Sequence, residues 1–481
     1  MAFKDLREFI ARLKREGELH HITAPVSPEL EICEIADRVC KNGGKALLFE
    51  NVSGFDMPVF INAFSSEHRM NLALETDSID SLASEITDIL EIKTPESFFE
   101  KIKMIPKLKQ IADFFPRTVS SAPCKEIIIK DSPSLDKLPV LKCWPEDAGK
   151  FITLPCVFVR DPDNGRRNCG MYRMQVYDSK TTGMHIHVHK DGASVYRKYK
   201  DRGEKMEVAV SIGTDPAVTF AATTPLPEGI DEMILAGFIR KSPVDMVKCE
   251  TIDVEVPACS EIVLEGYVDP SEIRREGPFG DHTGFYSLAG DYPVFHLTAI
   301  TMRKNPIYST IVVGRPPMED CYMGTAIERL FLPLIKKQFP EIVDMHLPFE
   351  GVFHNLLLVS IKKKYPGHAR KIMHGLWGLG QMMYTKVIVV TEDNVNLRDP
   401  KEVIWKVLSN MAPKRDIEFV IGPTETLDHA SEAHTFGSKM GIDATRKWKE
   451  EGFDREWPEE CIMSADIIEK VTKRWKEYGF R

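Results

Sequence analysis

Two carboxylates separated by a constrained turn are the most informative chemical feature of the sequence. Glu276 and Asp281 stand five residues apart, with Gly-Pro-Phe-Gly at positions 277–280 between them. Such a turn requires special backbone angles and is bordered by apolar and aromatic side chains. These surroundings can raise the pKa of one carboxyl group so that it delivers a proton near neutral pH, while a cationic partner keeps the other ionised. The pair predicts acid–base chemistry, against the common alternative of two solvated acids.

A second segment, residues 168–173, begins at Asn168 and ends at Arg173. Arg173 could pair with Glu276 or hold a substrate carboxylate, because a planar guanidinium matches carboxylate geometry. Asn168 could join Glu232, at the start of a predicted helix, in a site of hard ligands that suits magnesium or manganese bridging to a phosphate. The ordinary alternatives are a surface arginine and a first-turn glutamate that complements the helix dipole.

Histidines occupy alternating positions in residues 184–189, at His185, His187 and His189. On a strand they would share one face, and three imidazoles on one face could bind zinc. The helical zinc motif His-Glu-x-x-His is missing, and no matching pair of carboxylates lies close in sequence. One histidine as a metal ligand is therefore favoured over a histidine-only zinc site.

The elements that must position these side chains begin with an amphipathic helix. Apolar residues at positions 6, 9, 10 and 13 predict a helix that ends near Gly17. Ser27 and Pro28 predict the N-cap and first turn of a second helix, and residues 46–49 predict a strand. Prolines recur between residues 105 and 155 and resist regular structure, which predicts a domain boundary there.

Beyond that boundary the sequence predicts a region of short strands. One helix, residues 231–240, interrupts them, so a barrel or a sandwich is favoured. The predicted strands cover residues 157–159, 171–177, 184–189, 208–212, 218–221, 262–264, 295–300 and 307–313.

After residue 320 the pattern changes to alternating helices and strands. Helices near residues 326–338 and 369–380 and strands near 356–361 and 387–390 predict a layer of βαβ type. A final amphipathic helix from Ser464 onward could pack on its own domain or on another subunit.

Composition limits the class of protein. With 481 residues, two or three domains are expected, because one hydrophobic core stops growing near about 250–300 residues. The formal net charge of -9 makes nucleic acid an unfavourable partner. No apolar stretch is long enough for a signal peptide core or a transmembrane helix, so a cytoplasmic protein is expected. The ten cysteines lack metal-site spacing and are interpreted as reduced, packed side chains.

Taken together, these segments resemble the UbiD family of reversible decarboxylases. The resemblance covers about residues 20 to 450. Further stretches that carry it, in the family's order, are 224–227 (TPLP), 247–249 (VKC), 256–258 (VPA), 261–266 (EIVLEG), 314–317 (GRPP), 337–341 (KQFPE) and 437–441 (GSKMG).

The resemblance implies an α+β or α/β multidomain fold with an active site between domains. It implies an N-terminal α/β domain (1–115), a central split β-barrel related to flavin reductases that binds prenylated FMN (116–315), and a C-terminal α/β domain (316–455). Residues 456–481 are expected to form a C-terminal helix that could serve oligomerisation, and a dimer or hexamer of identical chains is expected.

The resemblance also assigns roles to individual residues. The catalytic residues it implies are Arg173, Glu276 and Asp281. The ligands of Mn²⁺ or another divalent metal are Asn168, His189 and Glu232. The residues expected at the cofactor are Met171, Tyr172, Arg173, His185, Ile186, His187, His189, Lys190 and Lys386, and K⁺ is a further candidate ion.

Two positions depart from what the resemblance leads us to expect. Asp281 replaces the glutamate of the ferulic and cinnamic acid decarboxylases, which makes the chain more similar to the polyprenyl-hydroxybenzoate branch. Residues 190–192 are Lys-Asp-Gly instead of the Arg-Gly-Gly that the resemblance leads us to expect at this cofactor contact.

The predicted activity is removal of carbon dioxide from an aromatic or α,β-unsaturated acid, 3-polyprenyl-4-hydroxybenzoate or a related hydroxybenzoate among them. A flavin prenyltransferase would supply the cofactor, and peripheral membrane contact would follow from a polyprenylated substrate. Arg173 is expected to keep Glu276 ionised while Asp281 stays protonated as the donor. The alternatives are a flavin oxidoreductase on the same barrel and a non-catalytic subunit of a carboxylase.

Overall fold

The computed structural model of the protein describes residues 2–90, 109, 111–186, 191–227 and 229–480. Within them the chain has a mixed α/β multidomain architecture with three principal sheets. Its strands are β1 (Leu19–Ile22), β2 (Ala46–Phe49), β3 (Val59–Ile61), β4 (Arg117–Thr118), β5 (Ile127–Ile129), β6 (Phe151–Ile152), β7 (Cys156–Arg160), β8 (Arg167–Met171), β9 (Met174–Gln175), β10 (Thr181–Gly183), β11 (Met206–Ile212), β12 (Asp245–Lys248), β13 (Glu255–Pro257), β14 (Ile262–Glu276), β15 (Phe279–Gly280), β16 (Tyr286–Ser287), β17 (Gly290–Met302), β18 (Tyr308–Ser309), β19 (Ile342–His346), β20 (Leu356–Ile361), β21 (Val387–Glu392), β22 (Ile417–Pro423) and β23 (Phe436–Asp443). The α-helices span Leu6–Arg15, Glu31–Lys41, Glu67–Ala73, Ile79–Leu90, Asp191–Arg202, Pro216–Ala221, Glu232–Arg240, Glu319–Gln338, His368–Trp377, Pro400–Asn410, Pro413–Asp416 and Ala465–Lys473.

The N-terminal sheet has the strand order β1-β2-β3-β18. The first helix is confirmed: its four predicted apolar residues are buried, and Asp5 caps it by accepting a hydrogen bond from the Glu8 backbone N–H. Strand β18 pairs with β3 in parallel although it follows the middle sheet in sequence. The chain therefore returns to the first sheet after completing the second.

The middle sheet has seven strands, in the order β10-β17-β14-β11-β7-β8, with β5 paired to β17. The long strands β14 and β17 are antiparallel, and their register shifts between Val268 and Ile273, as a bulge would produce. Edge strands β10 and β8 do not pair with each other among the described residues, so no closed barrel is observed. Strand β8 ends at Met171 and β14 at Glu276, next to candidate catalytic residues.

The C-terminal sheet has the order β19-β20-β21-β23-β22, with β20, β21 and β23 parallel and the two outer strands antiparallel. The helix His368–Trp377 packs closely on β23, since a Cβ on Gly441 would lie 2.5 Å from Met373 Sδ. The predicted alternation of helices and strands in this region is confirmed.

Two predictions failed at helix N-termini: one cap was overlooked and another was assigned to a residue that does not cap the helix. The predicted strand at residues 218–221 is the helix Pro216–Ala221, whose N-terminus is capped by the Asp215 side chain. The second helix begins at Glu31, not at Pro28, because Ser27 Oγ accepts from the Glu29 N–H in a local turn.

Predicted strands were also too long around the candidate site. Residues 171–177 do not form one strand: β8 ends at Met171, and β9 contains only Met174 and Gln175. Residues 184–186 lie in no strand, and the rest of the predicted histidine strand lies outside the described residues. Of residues 307–313, only β18 is a strand.

The final helix, Ala465–Lys473, has no buried residue, and Ile468 and Trp475 at this end of the chain are exposed. Packing of this helix into its own domain is therefore not observed. Within the described residues, every helix is too short or too polar to cross a membrane. The ten cysteines are free, as predicted.

Candidate active site

A cavity of 340 Å³ lies between the middle sheet and the C-terminal region. The middle region contributes Arg173, Asp281 and His282 to its wall, and Asp320 enters from the first turn of the helix Glu319–Gln338. The C-terminal region contributes residues that include Phe353, Gln381 and Leu427. The charged groups of the cavity therefore come from the middle region and from Asp320, while the C-terminal region adds apolar and amide side chains.

Arg173 lies between the two candidate carboxylates. Its Nε donates to Glu276 Oε1 at 3.0 Å, and its Nη1 contacts Asp281 Oδ2. Its Nη2 donates to Ser287 Oγ at 3.0 Å, and its guanidinium carbon lies 4.7 Å from the centre of the Phe279 ring. Because the chain leaves β8 before Arg173, this side chain reaches the cavity instead of following the strand's alternation.

The turn between the carboxylates is held by close contacts. Gly277 has a φ of +88°, and its N–H donates to Gln175 Oε1 at 2.8 Å. The Gly280 N–H donates to Asp147 Oδ1 at 2.7 Å. A Cβ at Gly280 would lie 2.1 Å from Trp144 Cδ1, so only glycine fits against this ring. The turn therefore fixes how Asp281 approaches Arg173.

Glu276 is fully buried. Its Oε1 accepts from Arg173 and lies 2.9 Å from His185 Nδ1, whereas its Oε2 is buried without a hydrogen-bond partner. A buried carboxylate beside a guanidinium is compensated in charge, while an unpartnered oxygen retains the capacity to accept a hydrogen bond from a ligand.

Asp281 is also buried, but its electrostatics differ from the prediction. Burial raises the pKa of Asp281, yet the charge of Arg173 and hydrogen bonds from His282 outweigh it, and the pKa falls below its usual range. The predicted protonated state of Asp281 is therefore wrong for this arrangement, because Arg173 contacts both carboxylates rather than Glu276 alone.

His282 was not singled out in the sequence. Its Nδ1 lies 2.9 Å from Asp281 Oδ1, and its Nε2 lies 3.0 Å from His354 Nε2. Burial lowers the pKa of His282, but the hydrogen bond and charge of Asp281 outweigh it and raise the pKa above its ordinary value. The position of His282 directly after Asp281 could have marked it as a site residue in the sequence. His354 lies 72 residues from His282, and nothing in the sequence connects the two.

Asn168 and Glu232 lie together at another part of the cavity wall. Asn168 Nδ2 donates to Glu232 Oε1 at 3.1 Å, and the Cys169 N–H donates to Glu232 Oε2 at 2.9 Å. The Asn168 Oδ1 atom is buried and has no hydrogen-bond partner. An unpartnered amide oxygen beside a buried carboxylate fits a divalent cation that prefers oxygen ligands.

Three family models match the chain in sequence order. They describe the N-terminal domain of 3-octaprenyl-4-hydroxybenzoate carboxy-lyase over residues 10–106, its Rift-related domain over 117–316 and its C-terminal domain over 321–444. This protein belongs to the UbiD family. Members of the family are carboxy-lyases, that is, decarboxylases.

Individual relatives agree with the family assignment. A protein of Archaeoglobus fulgidus, described as uncharacterized, is 52% identical over 479 residues, which cover 99% of each chain. The UbiD-class enzyme HmfF of Pelotomaculum thermopropionicum, in complex with FMN, is 30% identical with a TM-score of 0.79, covering 94% of this chain and 97% of HmfF. Vanillic acid decarboxylase of Sedimentibacter hydroxybenzoicus, in its closed form, is 27% identical with a TM-score of 0.87, covering 99% of this chain and 100% of that one.

Within the UbiD fold, the structure brings some of the predicted cofactor residues together and separates others. Met171, Tyr172 and His185 line the same cavity as Arg173. Ile186 packs against the core of the middle sheet and does not line the cavity. Three further predicted residues, His187, His189 and Lys190, lie outside the described part of the chain.

Lys386 is the predicted phosphate contact. Its Nζ pairs with Asp428 at 2.8 Å, and the residue is not part of the cavity wall. A second cavity of 610 Å³ shares Asn168 with the first and is lined by Arg166, Arg167 and Lys198, among others.

Proposed function

We propose that this protein is a prenylated-FMN-dependent decarboxylase of an aromatic or α,β-unsaturated carboxylic acid. The observation that carries the proposal is Arg173, whose side chain is 10% exposed and is shared between Glu276 and Asp281 in the wall of a cavity that also contains the Asn168–Glu232 pair. Solved relatives support the cofactor, since HmfF structures are in complex with FMN and with prFMN. A hydroxybenzoate-type acid, 3-polyprenyl-4-hydroxybenzoate among them, is the proposed substrate.

The proposed mechanism gives a separate role to each of Arg173, Glu276 and Asp281. Arg173 orients the substrate carboxylate, because its guanidinium is the cation in this wall that already contacts two carboxylates. Glu276 keeps Arg173 in place from the buried side. Asp281 passes a proton to the carbon from which carbon dioxide leaves, so one carbon–carbon bond breaks and one carbon–hydrogen bond forms. When bound, the prenylated flavin supplies an electron sink for this reaction.

Asn168 and Glu232, with His189, would hold one divalent ion beside the cofactor phosphate. Mixed oxygen and nitrogen ligands favour manganese, and K⁺ is a further candidate. The proposed flavin contacts are Met171, Tyr172, Arg173, His185, Ile186, His187, His189 and Lys190, of which Ile186 would reach the flavin only by leaving its packing in the middle sheet. Lys386 would reach the phosphate only by leaving Asp428.

The wider proposal includes the domain division at residues 1–115, 116–315, 316–455 and 456–481, with a split barrel in the second part. It includes a cytoplasmic homo-oligomer, a dimer or a hexamer, supplied with cofactor by a flavin prenyltransferase. A polyprenylated substrate would add peripheral membrane contact.

The test is to co-express the chain with a flavin prenyltransferase, measure the mass of the extracted cofactor and assay carbon dioxide release from a panel of aromatic and unsaturated acids. Prenylated FMN together with acid-dependent release is expected. Unmodified flavin with oxidation of reduced nicotinamide would instead support a flavin oxidoreductase. Arg275→Met, at an exposed arginine of the same sheet, is the control for Arg173→Met in the release assay.

A further inference from the structure

His282 connects the proposed proton donor to the C-terminal region. Its Nδ1 lies 2.9 Å from Asp281 Oδ1 in its own segment, and its Nε2 lies 3.0 Å from the Nε2 of His354, which precedes β20. The His282 ring also stacks on the Phe353 ring, with 5.4 Å between their centres. The imidazole is thus held on both nitrogens and on one face.

The charges around His282 define where its protons lie. Asp281, Asp320 and Glu425 are the acidic groups that act on it, and His354 is the basic one. Burial and the charge of His282 lower the pKa of His354 to about 3, so His354 is neutral and its Nε2 can accept from His282 Nε2–H. Burial raises the pKa of Asp320 to about 6.

We propose that His282 is a positioning residue that resupplies Asp281 with a proton during each turnover, with His354 as the neutral acceptor on its far side. The proposal rests on the donor role given above to Asp281. It resolves a conflict in the site: Asp281 is held as a carboxylate by Arg173, and a carboxylate cannot donate until another group protonates it.

Each step balances. The His282 imidazolium transfers its Nδ1 proton to Asp281 Oδ1 and becomes a neutral imidazole. Asp281, now a neutral acid, gives a proton to the substrate carbon as the bond to carbon dioxide breaks, and it returns to a carboxylate. Hydronium from the solvent then reprotonates His282, whose side chain is 19% exposed, and leaves water.

The proton link is tested without cofactor by NMR titration of protein labelled with ¹⁵N-histidine. The His282 signal is assigned by its loss in His282→Asn. In the wild type it should titrate above about 6.5, the ordinary histidine value, and in Asp281→Asn it should shift down by at least about one unit, because the anion is gone. His346→Gln is the matched control and should leave the titration of His282 unchanged. His346 is comparable because it also pairs with a buried carboxylate, Glu328, and is 18% exposed. The proposal is overturned if the pKa of His282 in the wild type lies below the ordinary histidine value. It is also overturned if the pKa of His282 is the same in Asp281→Asn as in the wild type.

The catalytic consequence is tested in the holoenzyme. Asn can donate to Asp281 where Nδ1 did, but it carries no transferable proton, so His282→Asn should lower kcat about 10²-fold and abolish the alkaline limb of the pH–kcat profile. Cofactor occupancy and KM should stay unchanged. His354→Gln keeps a hydrogen-bond acceptor for the His282 Nε2–H, so its kcat should fall less than that of His354→Leu. If the wild type releases carbon dioxide and His282→Asn has the same kcat and pH profile, the resupply role of His282 is excluded. A wild type that releases no carbon dioxide would instead refute the decarboxylase proposal. The NMR titration would still test the proton link between His282 and Asp281 in that case.

Discussion

The side-chain amide of Asn168 donates to Glu232 at 3.1 Å, while the oxygen of the same amide is buried without a partner. A buried polar atom without a partner costs free energy, about 1–3 kcal/mol in mutational data. A bound cation would remove that cost, since an amide oxygen and a carboxylate oxygen are both ligands of manganese and magnesium.

Glu232→Ala should therefore lose the divalent ion and the flavin together. The metal content is measured by mass spectrometry and the flavin content by absorbance. Glu207→Ala removes a carboxylate from β11 that lies outside both cavities, and it should leave both contents unchanged. Wild-type stoichiometry of metal and flavin in Glu232→Ala would contradict the metal assignment.

Arg173→Met should destabilise the protein in a pH-dependent way. Removing the cation leaves Glu276 and Asp281 buried without compensation, which costs about 3–5 kcal/mol for a broken buried pair. In the variant the charge of Arg173 no longer opposes burial, so we expect the folded-state pKa of Asp281 to rise above the unfolded value. Stability is then retained at low pH and lost as pH rises through the new pKa. The urea midpoint should thus fall more at pH 8 than at pH 5.

In the wild type, the contribution of Asp281 to stability should depend on pH in the opposite direction. Its folded-state pKa lies below the ordinary value, so its contribution is present above about pH 3.9 and lost as pH falls toward the folded pKa. Arg275→Met, at an arginine that is 66% exposed, should leave the urea midpoint near that of the wild type at both pH values. Equal losses for Arg173→Met at pH 5 and pH 8 would argue against a charge effect.

Asp281→Asn should separate chemistry from binding. The amide keeps the size of the side chain but cannot donate a carboxylic proton, so deuterium incorporation into product should fall about 10²- to 10⁴-fold. Flavin occupancy should survive. Asp291→Asn, at an aspartate that is 66% exposed, is the matched control. Near-normal incorporation at equal flavin occupancy would move the donor role to Glu276 or water.

Gly280→Ala should disturb both stability and turnover. The new Cβ would meet Trp144 Cδ1 at 2.1 Å, and overpacking of this kind typically costs about 1–3 kcal/mol. Asp281 follows directly, so its contact with Arg173 should shift and kcat should fall. Gly378→Ala, where the nearest atoms are at 3.6 Å, is the control. A Gly280→Ala variant with unchanged urea midpoint and kcat would show that this turn is more adaptable than its contacts imply.

Removal of residues 464–481 tests the proposed oligomer. Ile468 and Trp475 are exposed at the end of the single chain and would be covered by a second copy. The shortened chain should have a lower molar mass by light scattering while keeping its flavin. An unchanged molar mass would place the contact between subunits elsewhere.

Local sequence determined the parts of this protein that depend on neighbouring residues. Apolar spacing predicted the first helix and the alternating elements of the C-terminal region, because side chains three or four positions apart share a helix face. The composition of two separate segments likewise drew attention to Arg173 and to the pair Glu276 and Asp281. Capping by Asp215 overrode the β-branched pattern at residues 218–221, where the same local method failed.

Tertiary structure alone decided the charge states and partners. The lowered pKa of Asp281 depends on Arg173, 108 residues away, as well as on the neighbouring His282. His282 in turn contacts His354, 72 residues away. Asn168 and Glu232 become neighbours because a strand and a helix N-terminus, 64 residues apart in sequence, pack together. A pKa depends on the distance to charges and on exclusion of water, and neither quantity exists until the chain has folded.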